Sequence, residues 1–326
     1  MIYRAREKGV VGLGYVGLPL AVAFAEVVPR AVGIEKDSEK MAVLDTYDSY
    51  VDDVPAERLQ PLVASGKLQF AGDFRALRGA GAVVICLPRP LNERREPDLS
   101  MFSGAREVAR NLRVGALVAL EGITYPGTTR EVLLPIIEEE LKNGDSLRGY
   151  AYQVGREFYL AFAPERIGAS NRRYTIHNIL KIVGGITSGC TRRAADLYNT
   201  EKEEVHWVSS PASVKMAKLL ENILRGVNIA LVNELALLCD RMNVDVWEII
   251  EAAKTKTFGF MPIYPGLGGH CIPINPFYLS WGARAFNMTT EFIKVAGRVI
   301  LWTIRALALY ITPDKYHHAR LRGSGC

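Results

Sequence analysis

The chain has 326 residues, 49% of them hydrophobic and 23% charged, which is enough for two domains with a sizeable core and unlike a disordered or fibrous chain. With 40 basic and 35 acidic residues the net charge is +5 and the two signs are interspersed, which gives no basis for a nucleic-acid partner and mildly favours an anionic ligand. The five cysteines (Cys86, Cys190, Cys239, Cys271 and Cys326) form no CxxC pair or Cys/His cluster, so no metal is expected, and without a signal peptide the expectation is a reduced, cytoplasmic protein.

From the N-terminus, Lys8-Gly9-Val10-Val11 enters Gly12-Leu13-Gly14-Tyr15-Val16-Gly17, then an apolar helix over Leu18 to Val28 with Pro19 in its first turn, then a strand from Ala31 to Ile34 ending in Glu35. This is the strand, glycine turn, helix, strand, acid order of a Rossmann half. Gly12 makes the tight turn, Gly14 lets backbone meet a pyrophosphate, and Gly17 lets helix and strand pack closely. The helix N-terminus offers amides and partial positive charge to phosphates. Glu35 can accept from ribose hydroxyls, which favours NAD over NADP, although Lys36 stands beside it. A GxGxxG string alone is also compatible with an ordinary glycine-rich turn; the acid in register turns the reading to Gly12, Gly14, Tyr15, Val16, Gly17, Glu35 and Lys36 as a cofactor site. Lys8-Gly9 is unusual where apolar strand residues are expected.

The α/β alternation continues. Ala56 to Ser65 reads as helix and Leu68 to Ala71 as strand, and the unbroken apolar run Ala82 to Leu87 as a buried strand stopped by Pro88-Arg89-Pro90. Cys86 on it reads as core. Ser100 to Asn111 reads as helix with Ser100 as N-cap, and Ala116 to Glu121 as strand, leading through Thr124 to Thr129 into a helix ending near Leu141. Asn143 to Val154 reads as a surface insertion. Phe158 to Ala163 is a strand ending at Pro164-Glu165-Arg166, where Glu165 is either a surface charge or a base at the sheet edge. A strand at Ile182 to Gly185, a helix near Gly189 to Tyr198 and a strand at Val205 to Val208 complete the unit.

Ser213 to Met242 carries the strongest helical signal. Leu220, Leu224, Val227, Leu231, Leu235, Leu238 and Met242 recur at spacings of three and four, and other sides also carry leucine and isoleucine. Such a helix needs burial on more than one face, so a homodimer through residues 213–242 is expected, with Cys239 in the core. Lys218, Asn222 and Arg225 form a polar line at i, i+4 and i+7, either a solvated strip or a catalytic one. Asp245 to Ala253 is a short helix. Leu279 to Phe286 and Glu291 to Leu309 are helical, and Phe292 to Thr312 is interrupted by Lys294, Arg298 and Arg305, which makes it amphipathic rather than membrane-spanning. Residues 313–326 read as a disordered basic tail.

Between these helices Phe258, Phe260 and several glycines and prolines suit a lid over a sugar or an ordinary surface loop. Gly268-Gly269-His270-Cys271-Ile272-Pro273-Ile274-Asn275-Pro276 follows. A thiol on a glycine-hinged, proline-stiffened loop is placed to be reached, though a lone cysteine is also commonly a small buried hydrophobe.

The string at 268–279, Lys-Leu-Leu-Glu-Asn at 218–222 and the glycine fingerprint, in this order from about Val10 to Val299, resemble the nucleotide-sugar 6-dehydrogenases, the UDP-glucose and UDP-N-acetylhexosamine dehydrogenase family. The resemblance implies an α/β fold: a Rossmann-like doubly wound NAD-binding domain over 1–210, joined by a long helix to a mainly helical central domain over 211–311 that carries the cysteine loop, and a tail over 312–326 with the family's C-terminal UDP-binding domain absent. It implies oxidation of the C6 alcohol of a UDP-sugar to the uronic acid through a Cys271 thiohemiacetal and thioester. Lys218 and Asn222 would hold the reacting oxygen, and Glu165 the water. Pro88, Arg89 and Glu121 would line the nicotinamide half of NAD, and Phe258, Phe260 and Gly268 the sugar. The partners implied are a UDP-sugar and a second copy of the chain, with no nucleic acid and no membrane.

The chain departs from the family pattern at four places. Arg89 and Gly122-Ile123 stand where threonine and Ser-Thr are usual, and isoleucine cannot position a water. The segment between Tyr264 and Gly268 is slightly short. Asn275 stands where the family has an aspartate, and a carboxamide cannot take a proton from water. A homologue that binds NAD with little or no catalysis is therefore the alternative expectation. Arg95 to Ser100, Tyr125 to Thr129 and Gly269-His270-Cys271 resemble the UDP-N-acetylglucosamine/mannosamine branch most, and the implied pathway is surface-polysaccharide precursor synthesis.

Overall fold

The structure, a computed structural model, describes residues 5–86, 102–122, 125–143, 152–166, 178–199, 205–256, 263–266 and 272–310, with side chains to 303. The chain divides into two compact units, one of most of residues 1–216 and the other built on residues 217–326.

The first unit is a sheet with helices. Its strands are β1 (Glu7–Val11), β2 (Arg30–Ile34), β3 (Leu68–Ala71), β4 (Ala82–Ile85), β5 (Leu117–Leu120), β6 (Tyr159–Phe162), β7 (Lys181–Gly185) and β8 (Val205–Trp207). Its helices are α1 (Gly17–Val27), α2 (Ser38–Asp45), α3 (Ala56–Ala64), α4 (Ser103–Arg110), α5 (Leu134–Asn143) and α6 (Ser188–Tyr198). The strand order is β3-β2-β1-β4-β5-β6-β7-β8. All neighbours are parallel except β6 and β7. The order reverses between β1 and β4, the switch point at which α/β sheets bind ligands outside their carboxyl ends.

β1 keeps Lys8 and Gly9 for reasons of packing. The Lys8 ammonium donates to the Leu197 carbonyl at 3.4 Å and lies 4.2 Å above the Phe24 ring. A Cβ on Gly9 would stand 2.4 Å from Leu77 Cδ2. Asp37 caps α2, accepting from the amides of Glu39 and Lys40, and Thr187 caps α6. The helix expected to start at Ser100 starts at Ser103, after Phe102, without a side-chain cap; Ser100 lies outside the described residues. The helix leading to Leu141 opens with a π-helical turn, Thr129–Leu133, before α5.

The long helix α7 (Pro211–Met242) starts two residues before Ser213. α8 (Val246–Lys254), α9 (Asn275–Ala283) and α10 (Glu291–Tyr310) follow, so the helix expected from Leu279 begins one turn earlier, with Pro276 in the N-terminal position that proline favours. In the second unit Ile229, Ala230, Ile272, Ala296 and Ile300 form a buried cluster, with Val227, Ile263 and Val299 against it. The leucine stripe of α7 is not buried within the chain: Leu220 is 67%, Leu224 52%, Leu231 63%, Leu238 52% and Met242 62% exposed. Leu219, Ile223, Ile229 and Cys239, on other sides, are buried.

Candidate functional site

The glycine turn after β1 is held from two sides. Gly12 takes a positive φ of 87° and donates its N–H to the Ile34 carbonyl at 2.8 Å. A Cβ on Gly17 would fall 1.9 Å from the Gly12 oxygen, whereas one on Gly14 would meet nothing within 4 Å. Gly17 thus closes the strand–helix junction, and Gly14 leaves its outer side open to a ligand. Leu13 is pinned at both ends of its peptide unit: its N–H donates to Glu35 Oε2 at 3.0 Å, and its carbonyl accepts from the Tyr50 hydroxyl at 2.6 Å.

Glu35 is nearly buried at the end of β2. Its Oε1 accepts from the amides of Lys36 (2.8 Å) and Asp37 (3.1 Å), and the Lys40 ammonium lies 3.8 Å from Oε2. The side chain of Lys36 turns to the Phe74 ring, 5.3 Å away. Tyr50 is pushed above the ordinary tyrosine value by burial and then by the carboxylates of Glu35 and Asp37, so it stays a donor. Tyr15 is exposed and Val16 half-buried. The first turn of α1 carries no acidic side chain, so its partial positive charge is unopposed. These residues fit a dinucleotide: an open glycine, free polarity at a helix start and a buried acid at the neighbouring strand end. Tyr50 was not singled out from the sequence, and nothing in its local pattern marks it.

A buried ionic cluster sits at the far end of the same sheet edge. β5 delivers Glu121 and β6 delivers Glu165 just past their carboxyl ends. Because β7 runs antiparallel, its first residue, Lys181, comes to that edge as well. Lys181 Nζ lies 2.9 Å from Glu121 Oε1 and 3.4 Å from Glu165 Oε2. The hydroxyl of Tyr198, the last residue of α6, donates to Glu121 Oε1 at 2.6 Å, and its ring lies 4.7 Å from the Lys181 ammonium. Glu165 Oε1 accepts from the Arg166 amide at 2.6 Å. Burial pushes the Glu121 carboxyl above the ordinary value against the pull of Lys181, and the Glu165 charge adds to the rise. Burial alone would depress Lys181, but Glu121 and Glu165 outweigh it and hold the ammonium above the ordinary lysine value. Two carboxylates thus share one cation in a dry site. Glu121 Oε2 is buried with no hydrogen-bond partner among the described residues. Lys181 was overlooked in the sequence, although a lysine heading an Ile-Val-Gly-Gly run was a usable signal.

In the second unit Lys218 and Asn222 are half-buried on α7, while Arg225 is exposed. Asn275, the first residue of α9, is buried, and its Nδ2 has no hydrogen-bond partner among the described residues. Cys271, Gly268, Phe258, Phe260, Pro88, Arg89 and Ile123 lie outside the described residues. Ile272, the residue after Cys271, is buried, and its Cγ2 would lie 3.2 Å from a Cβ placed on Gly226 of α7.

Residues 7–202 match the NAD binding domain of the UDP-glucose/GDP-mannose dehydrogenase family, and residues 212–299 its central domain. The chain belongs to this family. Among its relatives, a UDP-N-acetyl-D-glucosamine 6-dehydrogenase of Pseudomonas aeruginosa is 35% identical over 300 residues, covering 90% of this chain and 66% of the relative. A UDP-N-acetyl-D-mannosamine dehydrogenase of Pyrococcus horikoshii is 34% identical over 299 residues, covering 89% of this chain and 67% of the relative. The solved structure of a UDP-D-ManNAc dehydrogenase from Pyrococcus horikoshii superposes with a TM-score of 0.83 at 31% identity, over 93% of this chain and 70% of that one. The chain spans about 66% of the length of the first of these relatives. The family's NAD binding domain contains the glycine turn, Glu35 and the Glu121–Lys181–Glu165 cluster, and its central domain contains Lys218, Asn222, Cys271 and Asn275.

Proposed function

We propose that this chain is an NAD-dependent dehydrogenase that oxidises the C6 primary alcohol of a UDP-sugar, a UDP-N-acetylhexosamine or UDP-glucose, to the uronic acid. In this reading residues 1–210 bind the cofactor, residues 211–311 carry the cysteine loop, and residues 312–326 are a tail. The observation that carries it is the seating of Ile272 at Gly226. Gly226 is one helical turn from Asn222 and two from Lys218, so the residue next to Cys271 packs on the helix face that carries the two polar side chains.

NAD, when bound, accepts the hydride leaving C6. Gly12, Gly14, Tyr15, Val16 and Gly17 would hold its pyrophosphate, Glu35 and Lys36 would border its ribose, and Pro88, Arg89 and Glu121 would serve its nicotinamide half. Phe258, Phe260 and Gly268 would line the sugar. The Cys271 thiolate adds to the aldehyde carbon and forms a thiohemiacetal. The thiohemiacetal would lose its hydroxyl proton and a second hydride, for which a second NAD would be the acceptor, to give a thioester; water would then release the acid and return the thiol. Covalent capture keeps the aldehyde on the protein between two oxidations. The Lys218 ammonium and Asn222 carboxamide would donate to the oxygen on the reacting carbon, and the ammonium favours the thiolate. Glu165, fixed by Lys181 and the Arg166 amide, would orient the water.

A second reading is favoured by Asn275. It occupies a buried position with an amide that cannot accept a proton, beside the substitution at Ile123 and a short 264–268 segment. The chain would then bind NAD with little turnover. The test is NADH absorbance with UDP-N-acetylglucosamine, UDP-N-acetylmannosamine and UDP-glucose, for the native chain and Cys271→Ser, beside thermal melts with NAD. NADH formation lost in Cys271→Ser upholds the first reading. An NAD-dependent rise in melting temperature with no NADH selects the second.

We also propose a homodimer through α7, whose exposed leucine stripe is a contiguous apolar surface of the kind that marks an interface. Helix Pro211–Met242 is long and apolar enough to cross a membrane. Its buried Asn233, bonded to Gly266 and Thr303, supports a helix packed in a protein core instead, and the reading as a whole places the chain in the cytoplasm, in surface-polysaccharide precursor synthesis.

A further inference from the structure

Gly266 and Ile272, the described residues on either side of the segment that contains Cys271, are both fastened to α7. On the C-terminal side, Ile272 packs at Gly226, where a Cβ would come within 3.2 Å of Ile272 Cγ2, 3.5 Å of Ile300 Cδ1 and 3.9 Å of the Ile272 carbonyl oxygen. On the N-terminal side, Asn233 grips Gly266. Its Nδ2 donates to the Gly266 carbonyl at 3.0 Å, and its Oδ1 accepts from the Gly266 N–H at 2.8 Å. The carboxamide pairs with both faces of one backbone residue, as a neighbouring β-strand would. The second Nδ2 hydrogen goes to Thr303 Oγ1 on α10 at 3.1 Å, and that hydroxyl donates to the Val299 carbonyl at 2.7 Å. Asn233 is fully buried, and its donors and acceptor are all used. A fully satisfied buried polar group specifies one geometry, whereas apolar packing tolerates several.

The placement along α7 gives this arrangement its meaning. Residues 218, 222, 226, 229 and 233 recur at spacings of four, four, three and four, which confines them to an arc of about 80° at 3.6 residues per turn. One face therefore carries Lys218 and Asn222, then the Gly226 seat, Ile229 of the buried cluster, and the Asn233 grip. At ~1.5 Å rise per residue the seat and the grip are about 10 Å apart along the axis. Segment 263–266 has a further hold: Tyr264 donates to Glu251 Oε1 at 2.8 Å and stacks on Trp247 at 5.7 Å.

We infer that Asn233 is a positioning residue for Cys271: it fixes the entry of the cysteine segment on the helix face that carries Lys218 and Asn222, while Gly226 supplies the close approach at the exit. Asn233 touches neither substrate nor cofactor, and it acts through the Gly266 peptide. The inference rests on the reading of Cys271 as the nucleophile.

The test compares Asn233→Ala with Thr303→Val. Both remove a buried hydrogen bond between α7 and α10, but only the first releases Gly266. Two rates are read on folded protein: alkylation of Cys271 by iodoacetamide, followed by peptide mass spectrometry, and NADH formation with UDP-N-acetylglucosamine. Asn233→Ala is expected to change the alkylation rate several-fold and to lower kcat by about 10- to 100-fold, the scale of a displacement near 1 Å, with Thr303→Val within about twofold of the native chain. Equal effects of the two variants, or an unchanged alkylation rate in folded Asn233→Ala, overturn the inference. If Asn233→Ala does not fold, hydrogen exchange on the native chain decides. The Gly266 amide is expected to be protected as the amides of α7 are, and exchange at the unprotected rate overturns the inference. The alkylation and exchange readouts need no turnover, so a chain that makes no NADH defeats the functional reading, while these two readouts still decide by themselves whether Asn233 holds the segment of Cys271.

Discussion

Lys181 meets Glu121 at 2.9 Å with both side chains shut off from water. The pair exists because the sheet changes direction between β6 and β7, which brings the head of β7 to the edge where β5 ends. Removing one member of a buried pair leaves an uncompensated charge, so Lys181→Met should destabilise the protein by about 3–5 kcal/mol. The sign of its pH dependence is fixed. Without the ammonium, burial and Glu165 raise the Glu121 carboxyl further, so the folded state holds a proton that the unfolded state has already lost. The native chain also holds this proton past the unfolded value, though less far, so the deficit should grow once pH passes the native chain's own raised Glu121 value. Urea unfolding at pH 5 and pH 8 reads this, and a deficit that shrinks with rising pH contradicts it. In the native chain Lys181 is held up, so its contribution is complete below about pH 10.4 and is lost as pH rises through its folded value. Lys181→Met with Glu121→Leu should recover much of the loss.

Gly14 and Gly17 should separate cofactor binding from folding. At Gly14 an added methyl meets nothing in the protein, so Gly14→Ala should melt within about 2 °C of the native chain and lose most of its stabilisation by NAD, because the methyl occupies the ligand's side. At Gly17 the methyl would collide with the Gly12 carbonyl, so Gly17→Ala should lower the melting temperature without any ligand. Thermal melts with and without NAD measure both. Equal behaviour of the two variants would remove the distinction.

Tyr50→Phe removes the hydroxyl that holds the Leu13 carbonyl. One net hydrogen bond is worth about 0.5–1.5 kcal/mol. The dissociation constant for NAD, measured by calorimetry, should rise by roughly 2- to 12-fold if that whole loss falls on the bound conformation of the turn. An unchanged constant would show that Glu35 holds the turn alone.

Leu224→Glu and Leu231→Glu place charges on the exposed stripe of α7. Sedimentation at micromolar concentration should show the native chain as a dimer and the double variant as a monomer. A native chain that sediments as a monomer removes the proposed interface.

The sheet was largely legible because its strands are continuous apolar runs between glycines and prolines, and the nucleotide half because glycine turn, helix and acid come in register within a short span. α7 was legible from its periodicity, but the period could not say which stripe was covered: the leucines counted as its core signal are the exposed ones, and the polar face lies over Gly226 and Asn233. What escaped were pairings between distant residues. Glu121, Glu165, Lys181 and Tyr198 come together only through the change of strand direction between β6 and β7. Lys8 looked misplaced in β1 because its carbonyl partner is residue 197. Asn233 escaped because Gly266, its partner, carries no side chain to notice.

Lys8 also ties the order of synthesis to the order of folding. β1 leaves the ribosome well before α6 and includes a cation whose carbonyl acceptor lies 189 residues downstream. While the nascent chain is short, that strand sits in a half-built sheet with an ammonium lacking one of its native contacts. The nucleotide-binding half should therefore mature only after α6 has emerged, rather than as an early and independent piece.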